Sequence, residues 1–539
     1  YTLSGNDRNG SVSGNNATVT ANVGDTLNFA VNASGHPFYI RVSNGGYNVS
    51  TPAATGQGSQ SGTVSWTPNT TGTFYYQCGN HSGMIGTITV NAASGSITAN
   101  GNPTASTDSP FDDLNGFKFG EGGDQNIIKT GSYKGSTSAD FEVNLGWEPQ
   151  FIMFKRTDGS ANWSMFDSMR GIVTEGNENY LYPNLTATEY TAERISATPT
   201  GFIVDASAGV LINENNGDYI FLAIRRPDGY VGKPAEAGTE AFALDTGNSS
   251  STIPTYDSGF PVDFALYRTP ASSANWWVNA RLTQGYELKT NSSDAQGGYY
   301  ANGTFDSNTG WNKSGANNTH QSWMWKRGAD FDVVTYKGNG VARQISHSLS
   351  KTPEMIWVKN RTEAREWSVG HIGLDGGTNP WEHYAILNSS SDENGSLASG
   401  VNIFWGSGAP SATHFNVGNW NTVNENNKQH IAMLFASVDG ISKCGYYDGT
   451  GSAGHVITTG FTPRFLIIKT TNAANGWFTY DSLRGLGSGA DPYLQLQANN
   501  AQDTSGADVF ATSSTGFTIN QNYSSVNASG QKYIYYAHA

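Results

Sequence analysis

Gly146-Trp147-Glu148-Pro149-Gln150-Phe151-Ile152-Met153-Phe154-Lys155 returns near the other end of the chain as Gly460-Phe461-Thr462-Pro463-Arg464-Phe465-Leu466-Ile467-Ile468-Lys469. Each is a Gly-aromatic-x-Pro turn leading into a short apolar run, bounded by turn residues before it and a Lys after it. That is the signature of a β-strand rather than a helix, which would need a longer run with a 3.6-residue period. In both stretches a Trp stands eight residues beyond the Lys, Trp163 and Trp477. The same offset joins Lys359 to Trp367 and Arg268 to Trp276, so one unit recurs four times.

Working outward, the first and last copies continue as Phe166-Asp167-Ser168-Met169-Arg170-Gly171 and Tyr480-Asp481-Ser482-Leu483-Arg484-Gly485. Asp and Arg three apart are expected to pair and fix the turn. Every copy then resumes with an aromatic at Gly201-Phe202, Gly310-Trp311, His414-Phe415 or Gly516-Phe517. The closing aromatic strands are Tyr219 to Ala223, Ser322 to Trp325, Ile431 to Ala436 and Tyr533 to Ala537. A unit of about 100 residues with this many short strands reads as one antiparallel β-sandwich. The boundaries expected are 126–228, 229–330, 331–440 and 441–539, with a polar Asn/Ser/Asp-rich connector over 94–125. The Lys ending each apolar run reads as a solvated strand end. The recurrent Trp has two readings, a carbohydrate-stacking platform or a core or inter-sheet aromatic, and recurrence at a fixed offset from a strand favours the second.

The composition agrees with an all-β chain. There are 65 Gly and 12% aromatics against only 14% charged residues, which suits short strands joined by tight turns. A chain of 539 residues is too long for one core, and roughly 100 to 150 residues per domain implies a string of four or five modules. The formal charge of -14, with 30 Lys and Arg and no basic stripe, excludes a nucleic-acid partner, because phosphate binding needs clustered cations. The longest apolar runs, such as Phe465 to Ile468, fall well short of the ~20 residues that span a bilayer, so a soluble chain without membrane insertion is expected. Cys78 and Cys444 lie far apart, which rules out a disulfide framework as the source of stability. Tyr1 follows neither an initiator Met nor a leader, so a processed form or a piece of a longer protein is expected.

The first 93 residues have another character. Strands are expected at Ala17 to Val23, Leu27 to Val31, Phe38 to Val42, Thr63 to Trp66, Gly72 to Gln77 and Gly86 to Val90. Between the last two runs the segment Tyr75-Tyr76-Gln77-Cys78-Gly79-Asn80-His81-Ser82-Gly83-Met84 brings Cys, His and Met into one loop, with His36 available from another. A buried free Cys near a stray His is the simpler reading of any one pair. The chance of both a His three residues and a Met six residues after Cys78 is roughly a few in ten thousand at this composition. A thiolate and two imidazoles with a weak thioether match an ion that cycles between Cu(I) and Cu(II).

From about Val23 to Val90 the chain resembles a cupredoxin. His36 matches that family's first ligand, and Cys78, His81 and Met84 match its closing loop, with Asn80 where many members place Pro. The resemblance implies type 1 copper. From about Gln125 onward the copies resemble the tandem β-sandwich domains of tail fibres and other appendages of tailed, especially marine, bacteriophages. The expected fold is thus all-β, a cupredoxin-like Greek-key β-barrel or sandwich followed by four tandem antiparallel β-sandwich modules set in a row as a stiff rod.

The function expected is a non-enzymatic virion structural protein, a tail-fibre or appendage subunit. Its expected partners are other virion proteins, further copies of itself as a homo-oligomer, and a host-surface glycan or receptor. No His-Glu-x-x-His, no P-loop and no evident pair of convergent carboxylates is present to support catalysis. The polar loop Ser391-Asp392-Glu393-Asn394-Gly395 could hold Ca2+, although a polar turn is the simpler reading. The alternatives are a secreted or cell-surface bacterial copper protein or adhesin that displays the first module, and a glycan-binding array using Trp276, Trp277, Trp405 and Trp420.

Overall fold

The computed structural model describes residues 1–92, 127–249, 254–297, 303–395, 397–398, 401–406 and 408–539. The connector expected at 94–125 lies outside the described residues. The chain divides into two compact units, Tyr1–Asn115 and Gly116–Ala539, and among the described residues both are built almost wholly of strands.

In the first unit the hairpin Thr2–Asp7 and Gly10–Asn15 precedes a four-stranded sheet in the order Val19–Asn22, Ile85–Asn91, Gly72–Cys78, Phe38–Arg41. Leu27–Asn32 pairs with Ser61–Trp66. Val19–Asn22 runs parallel to Ile85–Asn91. Val31, Ile40, Val64, Trp66, Tyr76 and Ile88 form the core.

In the second unit the larger sheets of the four copies share one order over five strands. In the last copy the larger sheet runs Ser442–Asp448, Lys532–His538, Phe465–Thr470, Phe478–Asp481, Leu494–Gln495. Its smaller sheet runs His455–Thr458, Gly516–Ile519, Phe510–Ser513. The closing aromatic strand of each copy lies directly beside the apolar motif strand. Phe202, Trp311, Phe415 and Phe517, which begin the resumed segments, are all buried. The turn before the motif strand is left-handed in every copy, with φ of 82° at Gly146, 78° at Gly259, 60° at Ser350 and 88° at Gly460. Glycine adopts that conformation without a Cβ clash, which explains three of the four.

In copies 2 to 4 the motif strands are buried along their whole length because both faces are covered. In the last copy Leu466 and Ile468 pack within that copy's own sandwich. Phe465 and Ile467 point the other way, into a core cluster shared by residues of all four copies.

This shared core corrects the expectation of modules set in a row. Copies 2, 3 and 4 close on one another as a ring through their recurrent Trp. The Trp276 indole N–H donates to the Gln495 carbonyl at 2.8 Å, Trp477 to Ile386 at 2.9 Å and Trp367 to Lys289 at 2.8 Å. A return bond comes from the residue seven positions beyond each acceptor. Gln502 N–H donates to Pro270 O at 2.7 Å, Glu393 to Thr471 at 2.7 Å and Gln296 to Arg361 at 2.9 Å. The loop weighed for Ca2+ is therefore one of these clasps. Copy 1 joins through a buried ion network: Arg327 forks onto Glu148 at 2.7 and 2.9 Å, and Arg226 reaches Asp332 at 2.8 Å.

The ring also overturns the solvated strand end. Arg268, Lys359 and Lys469 are buried. Desolvation lowers the Lys359 ammonium to about 7 and that of Lys469 to about 8. The Asp/Arg turn pairs are present as expected, at 2.6 Å for Asp167 and Arg170 and 2.7 Å for Asp481 and Arg484.

Candidate metal centre and aromatic surfaces

Phe38 stands opposite Cys78 in the ladder between their strands. The loop holding His36 therefore meets the loop that follows Cys78. Gly79 N–H donates to Pro37 O at 2.8 Å and the Asn80 side-chain amide donates to Gly35 O at 3.0 Å, tying the two loops. Asn80 N–H also points at the Cys78 sulfur at 3.4 Å. Proline at this position would have neither donor. The loop closes on itself as Cys78 N–H donates to Met84 O at 2.9 Å and Met84 N–H to His81 O at 3.2 Å.

Three donor atoms converge. Cys78 Sγ lies 3.7 Å from His36 Nδ1 and 3.6 Å from His81 Nδ1, and the two nitrogens are 3.1 Å apart. The centre of that triangle is about 2.0 Å from each atom, the distance at which imidazole nitrogen binds a first-row ion and slightly inside that for a thiolate. Cys78 is buried, His36 half-buried and His81 exposed, so the site opens to solvent along one edge. Met84 is placed by its backbone at the end of the same loop. The donor set present, one soft sulfur and two imidazoles, fits copper or zinc.

The four tryptophans named as stacking surfaces separate. Trp276 and Trp405 are buried and are withdrawn as ligand platforms. Their indole N–H groups donate within the fold, to Gln495 O and His383 O, each at 2.8 Å. Trp277 is half-buried, its ring roughly parallel to Tyr267 and under the Lys289 ammonium at 5.3 Å. Trp420 is 47% exposed and borders a hollow with Arg365, Ile403 and Asn421. A feature that sequence did not signal is a cleft of about 620 Å3 between copies 1 and 3, where Asp140, Glu142, Glu175 and Glu193 face Lys337 and Arg343. Burial first, then the charges of Asp205 and Glu175, raises the Glu193 carboxyl. The acids belong to copy 1 and the two cations to copy 3, so only the packing of two copies brings them face to face.

Fold and sites together define an all-β protein of interlocked β-sandwich copies, preceded by a smaller β unit with a His/Cys cluster. Residues 123–226 and 281–539 match the model of a family described as Domain of unknown function (DUF7483), more than half of the chain, and the chain belongs to that family. The matched residues fall in all four copies, and the His/Cys unit lies outside them. No characterised protein matches the chain in sequence. Among the described residues no helix is long and apolar enough to cross a membrane.

Proposed function

We propose that the chain is a non-enzymatic structural subunit of a tailed-bacteriophage virion, a tail-fibre or appendage component. What carries this reading is where the recurrent residues go. The Trp at the fixed offset and the cation at the strand end are spent, in copies 2 to 4, on burial and on contacts between copies. A chain whose repetition is used up in interlocking is suited to bearing load and to displaying its variable loops. The test is immunogold labelling and mass spectrometry of purified phage particles from a lysate carrying this gene. Stoichiometric presence with label on tails or fibres supports the proposal, and a protein found only free in the medium sinks it.

In the same reading His36, Cys78 and His81 would hold a copper ion in the first unit, with Met84 as a candidate weak thioether ligand. When bound, copper would supply a one-electron couple. The residues themselves supply a preformed donor triangle and a sulfur already receiving an N–H from Asn80, while the open edge at His81 admits the ion. Addition of Cu(II) to the full chain should produce an intense thiolate-to-copper absorption, abolished in Cys78→Ser and weakened in Met84→Ala. No such band in the native chain would exclude the copper assignment.

Glycan contact is a second reading, favoured by the exposure of Trp420 beside a hollow. Glycan-array binding lost in Trp420→Ala and retained in Trp405→Phe would support it. An array blank for the native chain would end it.

A further inference from the structure

Copy 1 carries the parts with which copies 2, 3 and 4 close their ring, yet among the described residues it makes none of the ring's bonds with them. Its Trp163 is posed as the others are. The Trp163 backbone N–H donates to Asn184 Oδ1 at 3.1 Å, just as Trp276, Trp367 and Trp477 donate to Asn291, Asn388 and Gln497 at 2.8 to 2.9 Å. In the ring each of these amides sits two residues beyond the carbonyl that receives a neighbour's indole. The corresponding carbonyl in copy 1 is Tyr182 O. It accepts Leu185 N–H at 3.0 Å, the same local turn that Ser389 makes on Ile386 and Ala498 on Gln495. The return bond would come from Glu189, seven residues on, to Thr157, two residues past Lys155, and both are exposed. Among the described residues neither the Trp163 indole N–H nor the Glu189 backbone N–H has a partner.

The sheet face agrees. Register places Phe151 and Met153 of copy 1 where copy 4 has Phe465 and Ile467, and Ile220 and Leu222 where it has Ile534 and Tyr536. The copy 4 residues are buried. In copy 1 Phe151, Met153 and Leu222 are only half-buried and Ile220 is 41% exposed. A β-sheet face this apolar is left in water at a cost of about 25 cal/mol per Å2.

We infer that this face binds two further copies of the same chain, so that three copy-1 sandwiches repeat between chains the ring that copies 2 to 4 make within one. The contact is head-to-tail, with Trp163 N–H on Tyr182 O of the next chain and Glu189 N–H on its Thr157 O. Such an interface either closes or propagates, and the intrachain ring shows that this geometry closes at three. The inference rests on the copy geometry alone and is independent of the virion and copper readings.

Sedimentation of the full chain at micromolar concentration should give three times 57.6 kDa. Leu222→Asp should lower the mass threefold without changing the far-ultraviolet circular dichroism. A second variant keeps the test open should Leu222→Asp misfold: Thr157→Cys with Glu189→Cys alters two exposed positions, and its oxidised ladder on a denaturing gel should stop at three chains. A monomer, a dimer, an open-ended ladder, or no crosslink at all would overturn the inference.

Discussion

Glu148 shows how one side chain can hold copies together. It is 5% exposed and faces the guanidinium groups of Arg226, in its own copy, and Arg327, in copy 2. Removing one partner of a buried ion pair strands the other in a low-dielectric site, at about 3 to 5 kcal/mol. Glu148→Ala should therefore lower the unfolding free energy by about that amount in urea titrations, and a loss under ~1 kcal/mol, the worth of an exposed pair, would show that water screens the network. At this scale sequence reading reached the Asp167/Arg170 and Asp481/Arg484 pairs, because both partners sit in one turn. It missed Glu148, and it misread Lys359 and Lys469, because their surroundings come from residues distant in the chain.

Among elements, the motif strands and their neighbours followed from pattern. A continuous apolar run, a left-handed turn before it and a closing aromatic strand left few alternatives. The odd member is Ser350, a residue with a Cβ held at φ 60° where the other copies have Gly. The left-handed conformation costs a non-glycine residue roughly 1 kcal/mol, so Ser350→Gly should raise the thermal midpoint, with the usual entropic cost of glycine reducing the gain. An unchanged or lowered midpoint would mean that the Ser hydroxyl compensates its backbone. The parallel pairing of Val19–Asn22 with Ile85–Asn91 was beyond sequence reading, since strand partners separated by most of a domain leave no local mark.

Over the whole molecule, interlocking buries groups that would otherwise meet water. His371 and His430 lie in copy 3, the former with its Nε2 3.2 Å from Tyr535 O of copy 4. Burial lowers both imidazoles to about 4. Between pH 6.5 and 4 the unfolded chain then binds more protons than the folded one, so stability falls as pH falls through that window. His371→Asn should lose less on acidification than the native chain, by up to about 3 kcal/mol, read as the difference in denaturant midpoints at pH 7 and pH 4.5. A difference independent of pH would show that His371 does not titrate on unfolding. Glu178 works the other way: burial raises it to about 9, so it favours the fold as pH falls from 9 to about 4.5 and should be absent from the His371→Asn difference.

Sequence alone determined that the chain is all-β, that one unit recurs four times and that Cys78 has a His three residues and a Met six residues beyond it, since each is carried by residues adjacent or regularly spaced in the chain. Tertiary structure decided which surfaces those residues serve. A strand with two apolar faces must be covered twice, but pattern does not say by what. The fold shows that in copies 2 to 4 the second cover is another copy, which turns Trp276 from a possible platform into a buried clasp and makes a ring of what the sequence read as a row. His36 likewise joins Cys78 and His81 only because Phe38 pairs opposite Cys78, a register that the contact of two distant strands alone could set.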